Sequence, residues 1–220
     1  SMLPKERSQV SIIALIAMFR MFGLFALLPV LSIYASNLKH ATPILIGLSV
    51  GAYGLTQALF QIPFGLMSDK IGRKPVICIG LIIFIFGSLV AANSETIFGV
   101  VFGRLLQGAG AISSTLSALL TDLTRKEIRT KSMAILGIGI GGSFLLSLIF
   151  GPLISSYFGV RSLFFISAMV SLIAMSLLVL IPSGTKRLDT DIRKDIRNVF
   201  KLDLLINDLH VYFLHLILTM

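Results

Sequence analysis

Six long, predominantly apolar runs, each long enough to cross a bilayer as a helix, constrain this chain more than any other feature. A crossing takes roughly 20 apolar residues at the helical rise of about 1.5 Å per residue. The runs fall at 10–35, 44–66, 76–92, 97–120, 133–154 and 163–181. The stretches between them, 37–43, 68–75, 93–96, 121–132 and 155–162, are too short to hold domains, so successive helices are expected to be antiparallel neighbours. Hydrophobic residues make up 55% of the 220 and charged ones only 13%, with a mean hydropathy of +0.95. Soluble domains carry about 25% charged residues. This surface faces lipid, and the expected fold is an all-α integral membrane bundle of six transmembrane helices.

Nineteen basic residues against ten acidic ones give a net charge of +9. Their placement speaks for membrane topology and against a nucleic-acid partner, because they sit in short clusters between apolar runs. Lys5, Arg7, Lys70, Arg73, Lys74, Arg125, Lys126, Arg129, Lys131, Lys186, Arg187, Arg193, Lys194, Arg197 and Lys201 all fall on one side. Only Lys39 and Arg161 fall on the other, while Arg20 and Arg104 lie inside spans. Positive charge marks the cytoplasmic side, so the expectation is a multi-pass plasma (inner) membrane protein with a cytoplasmic N-terminus. Lys5 and Arg7 precede the first run as a signal peptide's basic region would, but that run is too long and lacks a clear cleavage site.

Three regions follow. Residues 1–182 form the six-helix bundle, 183–203 a charged linker returning to the cytoplasm, and 204–220 the start of a seventh helix. That last run stops at Met220, about four residues short of a crossing, and predicts a longer parent protein.

Two arginines do not belong in lipid. Arg20 lies about ten residues into the first run, near the bilayer midplane. Arginine at a helix centre costs about 2.5–3.5 kcal/mol on insertion scales, so it is expected to face protein or a water-filled cavity. Arg104 lies about seven residues into the fourth run, with Gln107 and Gly108 at i+3 and i+4 on the same face. Arg20, Arg104 and Gln107 are the candidate lining of a central cavity that attracts anionic groups; the alternative is that the arginines satisfy neighbouring carbonyls. None of the ten acidic residues lies within the hydrophobic interior of a span. Proton-coupled transport usually needs a titratable group at depth, and the candidate here is His215 in the seventh run.

Glycine pairs Gly47/Gly51 and Gly99/Gly103 predict close helix approach, and Gly137, Gly139, Gly141 and Gly142 predict a bare face on the fifth helix. Pro29, Pro63 and Pro152 are expected kinks. Enzyme chemistry has no foothold. Cys78 is the lone cysteine, no cofactor or metal motif is present, and neither a Ser/His pair nor a His-x-x-x-His stands at span depth. Gly137-x-Gly139-x-x-Gly142 matches a dinucleotide fingerprint only by spacing, inside a membrane run without its strand or acidic partner.

Gly65-Leu66-Met67-Ser68-Asp69-Lys70-Ile71-Gly72-Arg73-Lys74, where the second run ends, resembles the signature of the major facilitator superfamily. Gly65 allows close packing there, Gly72 permits a tight turn, and Asp69 can pair with Arg73 or meet the N-terminal dipole of another helix. Arg104-Leu105-Leu106-Gln107-Gly108 resembles the family's Arg-x-x-Gln-Gly element, and Gly151-Pro152, after the Gly137–Gly142 series, resembles the antiporter element of its drug-efflux branches. Arg20-Met21-Phe22-Gly23, Leu28-Pro29-Val30-Leu31 and Asp122-Leu123-Thr124-Arg125 are similar to YajR-type efflux proteins. A faint echo of Phe64-Gly65 and Gly72 in Phe150-Gly151 and Gly159-Val160-Arg161 fits a three-plus-three inverted repeat.

The resemblance implies one of two six-helix bundles that rock around a central site, giving proton-coupled efflux of small amphipathic molecules by alternating access. It implies that Gly65, Asp69, Gly72, Arg73, Lys74 and Asp122 form a cytoplasmic gating cluster. It also implies that the partner is a missing C-terminal bundle or a second copy, in a lipid bilayer. Phe19, Phe22, Phe25 and Phe60 offer adaptable apolar surface to such a substrate. Other readings are a non-transporting membrane scaffold and a homodimeric half-transporter.

Overall fold

A computed structural model describes residues 2–182. The expected linker, the seventh run and His215 lie outside the described residues. Helices follow one another as α1 (Pro4–Phe25), α2 (Leu28–Ser36), α3 (Pro43–Ile71), α4 (Arg73–Ala92), α5 (Ile97–Ala109), α6 (Ser113–Asp122), α7 (Arg129–Phe158) and α8 (Val160–Val179). A 3₁₀ turn, Lys126–Ile128, leads into α7. Together they make six helices long and apolar enough to cross a membrane, because α1 with α2 and α5 with α6 each form one interrupted span.

Those interruptions have different origins. In the first span the helix breaks at Ala26–Leu27, and Pro29 sits in the first turn of α2, where its missing N–H leaves no bond unmade. The fourth span breaks at Gly110–Ile112 without a proline, a break the sequence reading did not anticipate. Backbones meet there: a Cβ on Gly110 would fall 2.3 Å from the Gly80 carbonyl oxygen. Pro63 and Pro152, expected as kinks, lie inside continuous helices.

Two joints are much shorter than the hydropathy predicts. The stretches 68–75 and 155–162 collapse to single glycines, because helices of 29 and 30 residues run on past the apolar core. Gly72 (φ 103°, ψ 159°) and Gly159 (φ 81°, ψ 163°) occupy a region of backbone space essentially reserved for glycine. Each is followed by a 20-residue helix, α4 or α8. This is the inverted repeat in backbone form: interrupted span, long helix, glycine, 20-residue helix, twice over. Packing repeats with it. Helix α3 lies on α5 as α7 lies on α1, α4 pairs with α5 as α8 pairs with α1, and α4 meets α8 across the pseudo-axis.

The core is built at the two ends of the bundle. Val10, Ile13 and Ile16 of α1 meet Val76, Ile77 and Leu81 of α4, Leu116 and Leu119 of α6 and Leu178 of α8 at the N-terminal end. Leu27, Leu31, Val100, Leu163 and Phe164 close the other. Close approach of α4 to α5 depends on Gly87 and Gly103, where an added Cβ on either would stand 2.7 Å from the other's carbonyl oxygen.

The small-residue predictions need correction. Around Gly47, Gly51, Gly137, Gly141 and Gly142 an added Cβ would meet nothing within 4 Å, so these glycines do not mediate packing inside the bundle. Helix α7 instead turns Gly139, Ser143, Ser147 and Gly151 inward, one every four residues along a packing ridge. A Cβ on Gly151 would fall 2.4 Å from the Ala26 carbonyl oxygen, and the Ser147 hydroxyl lies 3.3 Å from the Phe22 carbonyl.

Candidate functional site

The Gly72 turn brings the end of α3 against the start of α4, and with it Asp69 against Arg73. Arg73 Nη2 lies 2.7 Å from Asp69 Oδ1, and Arg73 Nε donates to Asp122 Oδ2 at 3.0 Å. Arg73 Nη1 also donates to Ser68 Oγ at 2.5 Å. The arginine is buried while Asp69 keeps 30% of its side-chain surface and Asp122 15%. One guanidinium thus joins three helices, α3, α4 and α6, and two carboxylates offset its charge. Lys74 Nζ donates to the Ile181 carbonyl, fastening α4 to the residues after α8. Gly65 faces the Ser114 hydroxyl of α6 at an ordinary contact distance for an added Cβ of 3.5 Å.

At the same end lies a second ion pair that the sequence reading passed over. Glu6 of α1 is buried, and its carboxylate receives Arg125 Nε at 2.9 Å and Arg125 Nη2 at 3.2 Å. The Leu3 backbone N–H donates to the same carboxylate at 2.9 Å, capping α1. Hydrogen bonding to Glu6 raises the Arg125 guanidinium above its usual pKa. A usable signal was present: Glu6 is the one acidic residue ahead of Asp69, set among Lys5 and Arg7.

Halfway along the bundle the arginines find no carboxylate among the described residues. Arg104, fully buried in α5, donates from Nε to the Ser49 carbonyl at 3.2 Å and from Nη1 to Gln107 Oε1 at 2.9 Å. Gln107 Nε2 passes the chain on to Ser88 Oγ at 2.8 Å. Arg20 of α1 donates from Nη2 to the Gly110 carbonyl at 2.6 Å, at the break between α5 and α6. Both guanidinium groups lie over the Tyr53 ring, 5.7 Å away for Arg20 and 5.2 Å for Arg104, and Arg20 is also 5.4 Å from the Phe84 ring. Cation–π attraction and carbonyl dipoles stand in for counter-charge.

The structure therefore brings Asp69, Arg73 and Asp122 together, links Arg104 to Gln107, and sets both Arg20 and Arg104 against the Tyr53 ring. It leaves Gly137 and Gly141 on the outside of α7, with Pro152 half-buried. Phe25 stacks edge-on against Phe144 at 5.0 Å, Phe19 and Phe22 pack on the two cores, and Phe60 is exposed. Among the described residues no group of three His, Cys, Asp or Glu side chains is placed to hold a metal.

The Major Facilitator Superfamily profile matches residues 13–220. The chain belongs to this family. Superfamily members are membrane transporters and not enzymes. Over 198 residues the chain is 43% identical to an uncharacterized transporter of Buchnera aphidicola subsp. Schizaphis graminum, covering 87% of this chain and 50% of that protein. Over 150 residues it is 47% identical to the inner membrane transport protein YajR of Escherichia coli K12, covering 68% of this chain and 33% of that protein. The tetracycline resistance protein, class B, of Escherichia coli is 34% identical over 131 residues, covering 58% and 32%. The chain spans about half the length of the curated relatives it matches, or less. In fold it superposes on the human organic anion transporter MFSD10 with a TM-score of 0.70 at 18% identity, covering 89% of this chain and 53% of that one. A bacterial homologue of the human drug peptide transporters gives 0.72 at 15% identity, covering 89% and 47%.

Proposed function

We propose that this superfamily bundle is the first of two in a secondary transporter that exports small amphipathic molecules by alternating access, with Asp69, Arg73 and Asp122 as the latch that holds the N-terminal end closed. The observation that carries the reading is the buried Arg73 shared between two partly exposed carboxylates at a one-residue helix joint. Such a cluster can offer its remaining carboxylate surface to a facing helix and withdraw it, which is what a two-state gate requires. Likeness to YajR and to a tetracycline resistance protein supports efflux, and the relatives' length supports a second bundle. The clustered basic residues support a cytoplasmic position for this end.

Proton coupling is part of the proposal, although the carboxylates among the described residues all lie at the ends of the bundle. The test is efflux of a fluorescent amphipathic dye from proteoliposomes holding the full-length protein under an imposed proton gradient. Flux that collapses with an uncoupler is expected. Flux indifferent to the uncoupler removes the coupling, and no flux across a broad dye panel removes the efflux reading. Sidedness is checked by a Lys5→Cys variant, which an impermeant maleimide should label only in permeabilised cells.

A further inference from the structure

At the end of the bundle that carries the Gly72 joint, the start of α1 and the close of α8 bound an open cleft of about 500 Å³. Lys5, Ser8 and Gln9 form one wall, at i, i+3 and i+4 and hence on one face of α1. The other wall runs from Val179 and Leu180 through Ile181 to Pro182. Both apolar runs end here, so the cleft lies where the bilayer meets water.

The three polar side chains share an unusual state, because none has a partner among the described residues. Ser117 and Ser132 turn their hydroxyls back to the carbonyl four residues earlier, and Ser8 does not. Lys5 is exposed and unpaired although Glu6 adjoins it, since the Glu6 carboxylate is taken by Arg125 and by the Leu3 N–H. Gln9 keeps only 8% of its surface, and that remainder, its amide included, opens on the cleft. A primary amide buried to this degree costs stability unless something bonds to it.

The surroundings narrow what that is. No carboxylate lines the cleft among the described residues, Arg7 is exposed nearby on the first turns of α1, and Lys74 donates to the carbonyl of Ile181 in the facing wall. Positive charge and free donors suit an anion. Yet Val179 is 76% exposed and Leu180 67%, at the end of a membrane-crossing helix. A soluble anion has no use for that apolar wall, whereas an acyl chain does.

From these features we infer that the cleft binds the headgroup of an anionic phospholipid. The Lys5 ammonium, the Ser8 hydroxyl and the Gln9 amide N–H hold its phosphate, and its acyl chains run along Val179 and Leu180. Basic recesses between membrane helices recognise headgroups by this combination. The site does not depend on the export reading or on the latch, and its test measures binding alone.

Full-length protein, delipidated in detergent, is titrated with a phosphatidylglycerol and separately with a phosphatidylcholine of the same acyl chains, and bound lipid is followed by native mass spectrometry. Saturable binding of phosphatidylglycerol is expected, with phosphatidylcholine weaker by about fivefold or more. Lys5→Gln should raise the Kd about fivefold, and Gln9→Leu, which keeps every charge, should raise it by a similar factor. Lys126→Gln removes the same charge at the same end but outside the cleft, and should leave the Kd unchanged. Equal weakening by Lys5→Gln and Lys126→Gln would mean that net charge alone is sensed, and overturns the site. So does an unaltered Kd in Gln9→Leu, or equal binding of the two lipids. Displacement of the lipid by millimolar inorganic phosphate would make the ligand a soluble anion and overturn the lipid assignment.

Discussion

The two glycine joints, Gly72 and Gly159, are nearly the same piece of backbone with different chemistry attached. In each, the glycine N–H donates to a serine carbonyl four residues back, Ser68 at 3.1 Å and Ser155 at 2.8 Å. The hydroxyl of each serine turns back to the carbonyl three residues earlier, Gly65 at 2.7 Å and Pro152 at 3.0 Å. The first joint then carries Asp69 and a buried Arg73 that reaches Asp122. The second carries Tyr157 and Phe158, both exposed, and Arg161, which donates from the surface to the Ser94 carbonyl at 3.2 Å. The repeat fixes the shape of both ends, and the ion-pair cluster has been added to one.

Replacing either glycine tests the shared part. Gly72→Ala and Gly159→Ala each force a side chain into glycine-only backbone space, and each should destabilise the protein by on the order of 3 kcal/mol, read as a fall in Tm. Markedly unequal losses would mean that the joints are not equivalent. The unshared part gives the next largest effect. Asp122→Ala leaves Arg73 with Asp69 alone and should cost about 2 kcal/mol, whereas Arg161→Ala should stay within about 0.5 kcal/mol of the parent.

A smaller loss is expected midway along the bundle. Gln107→Leu makes Arg104 resemble Arg20 by removing its i+3 acceptor, at a cost of about 1.5 kcal/mol. Smallest is the pair at the opposite end, where Lys39 Nζ meets Glu95 Oε2 at 3.1 Å with both side chains largely exposed. The hydrogen bond from Lys39, with the positive field of Lys39 and Arg161, lowers the Glu95 pKa. That contribution is present above the ordinary carboxylate pKa and is lost as pH falls through the lowered one. Glu95→Gln should therefore lower stability slightly at neutral pH, flatten the acid limb of the stability curve and leave stability below the lowered pKa unchanged.

Six spans, their antiparallel order and the Asp69–Arg73 pairing were legible because lipid demands long apolar runs and because motif spacing places i and i+4 together. The twin joints were only faintly legible: a glycine with positive φ looks in sequence like any glycine in a polar stretch. Helix faces were harder still. With apolar residues all round a membrane helix, no moment distinguishes Gly139 and Gly151, which pack, from Gly137 and Gly141, which do not. Glu6 was missed because its partner Arg125 lies 119 residues away, and the break at Gly110–Ile112 because it arises from contact with Gly80 and not from a proline.

In the proposed mechanism the cluster at the Gly72 joint gates transport and its backbone twin at Gly159 does not. The most direct measurement is the initial rate of gradient-driven dye efflux by full-length protein carrying Asp69→Asn or Arg161→Gln, at matched amounts of folded protein. A fall of about tenfold for Asp69→Asn, with less than twofold change for Arg161→Gln, is the predicted result. Equal rates in the two variants would contradict it.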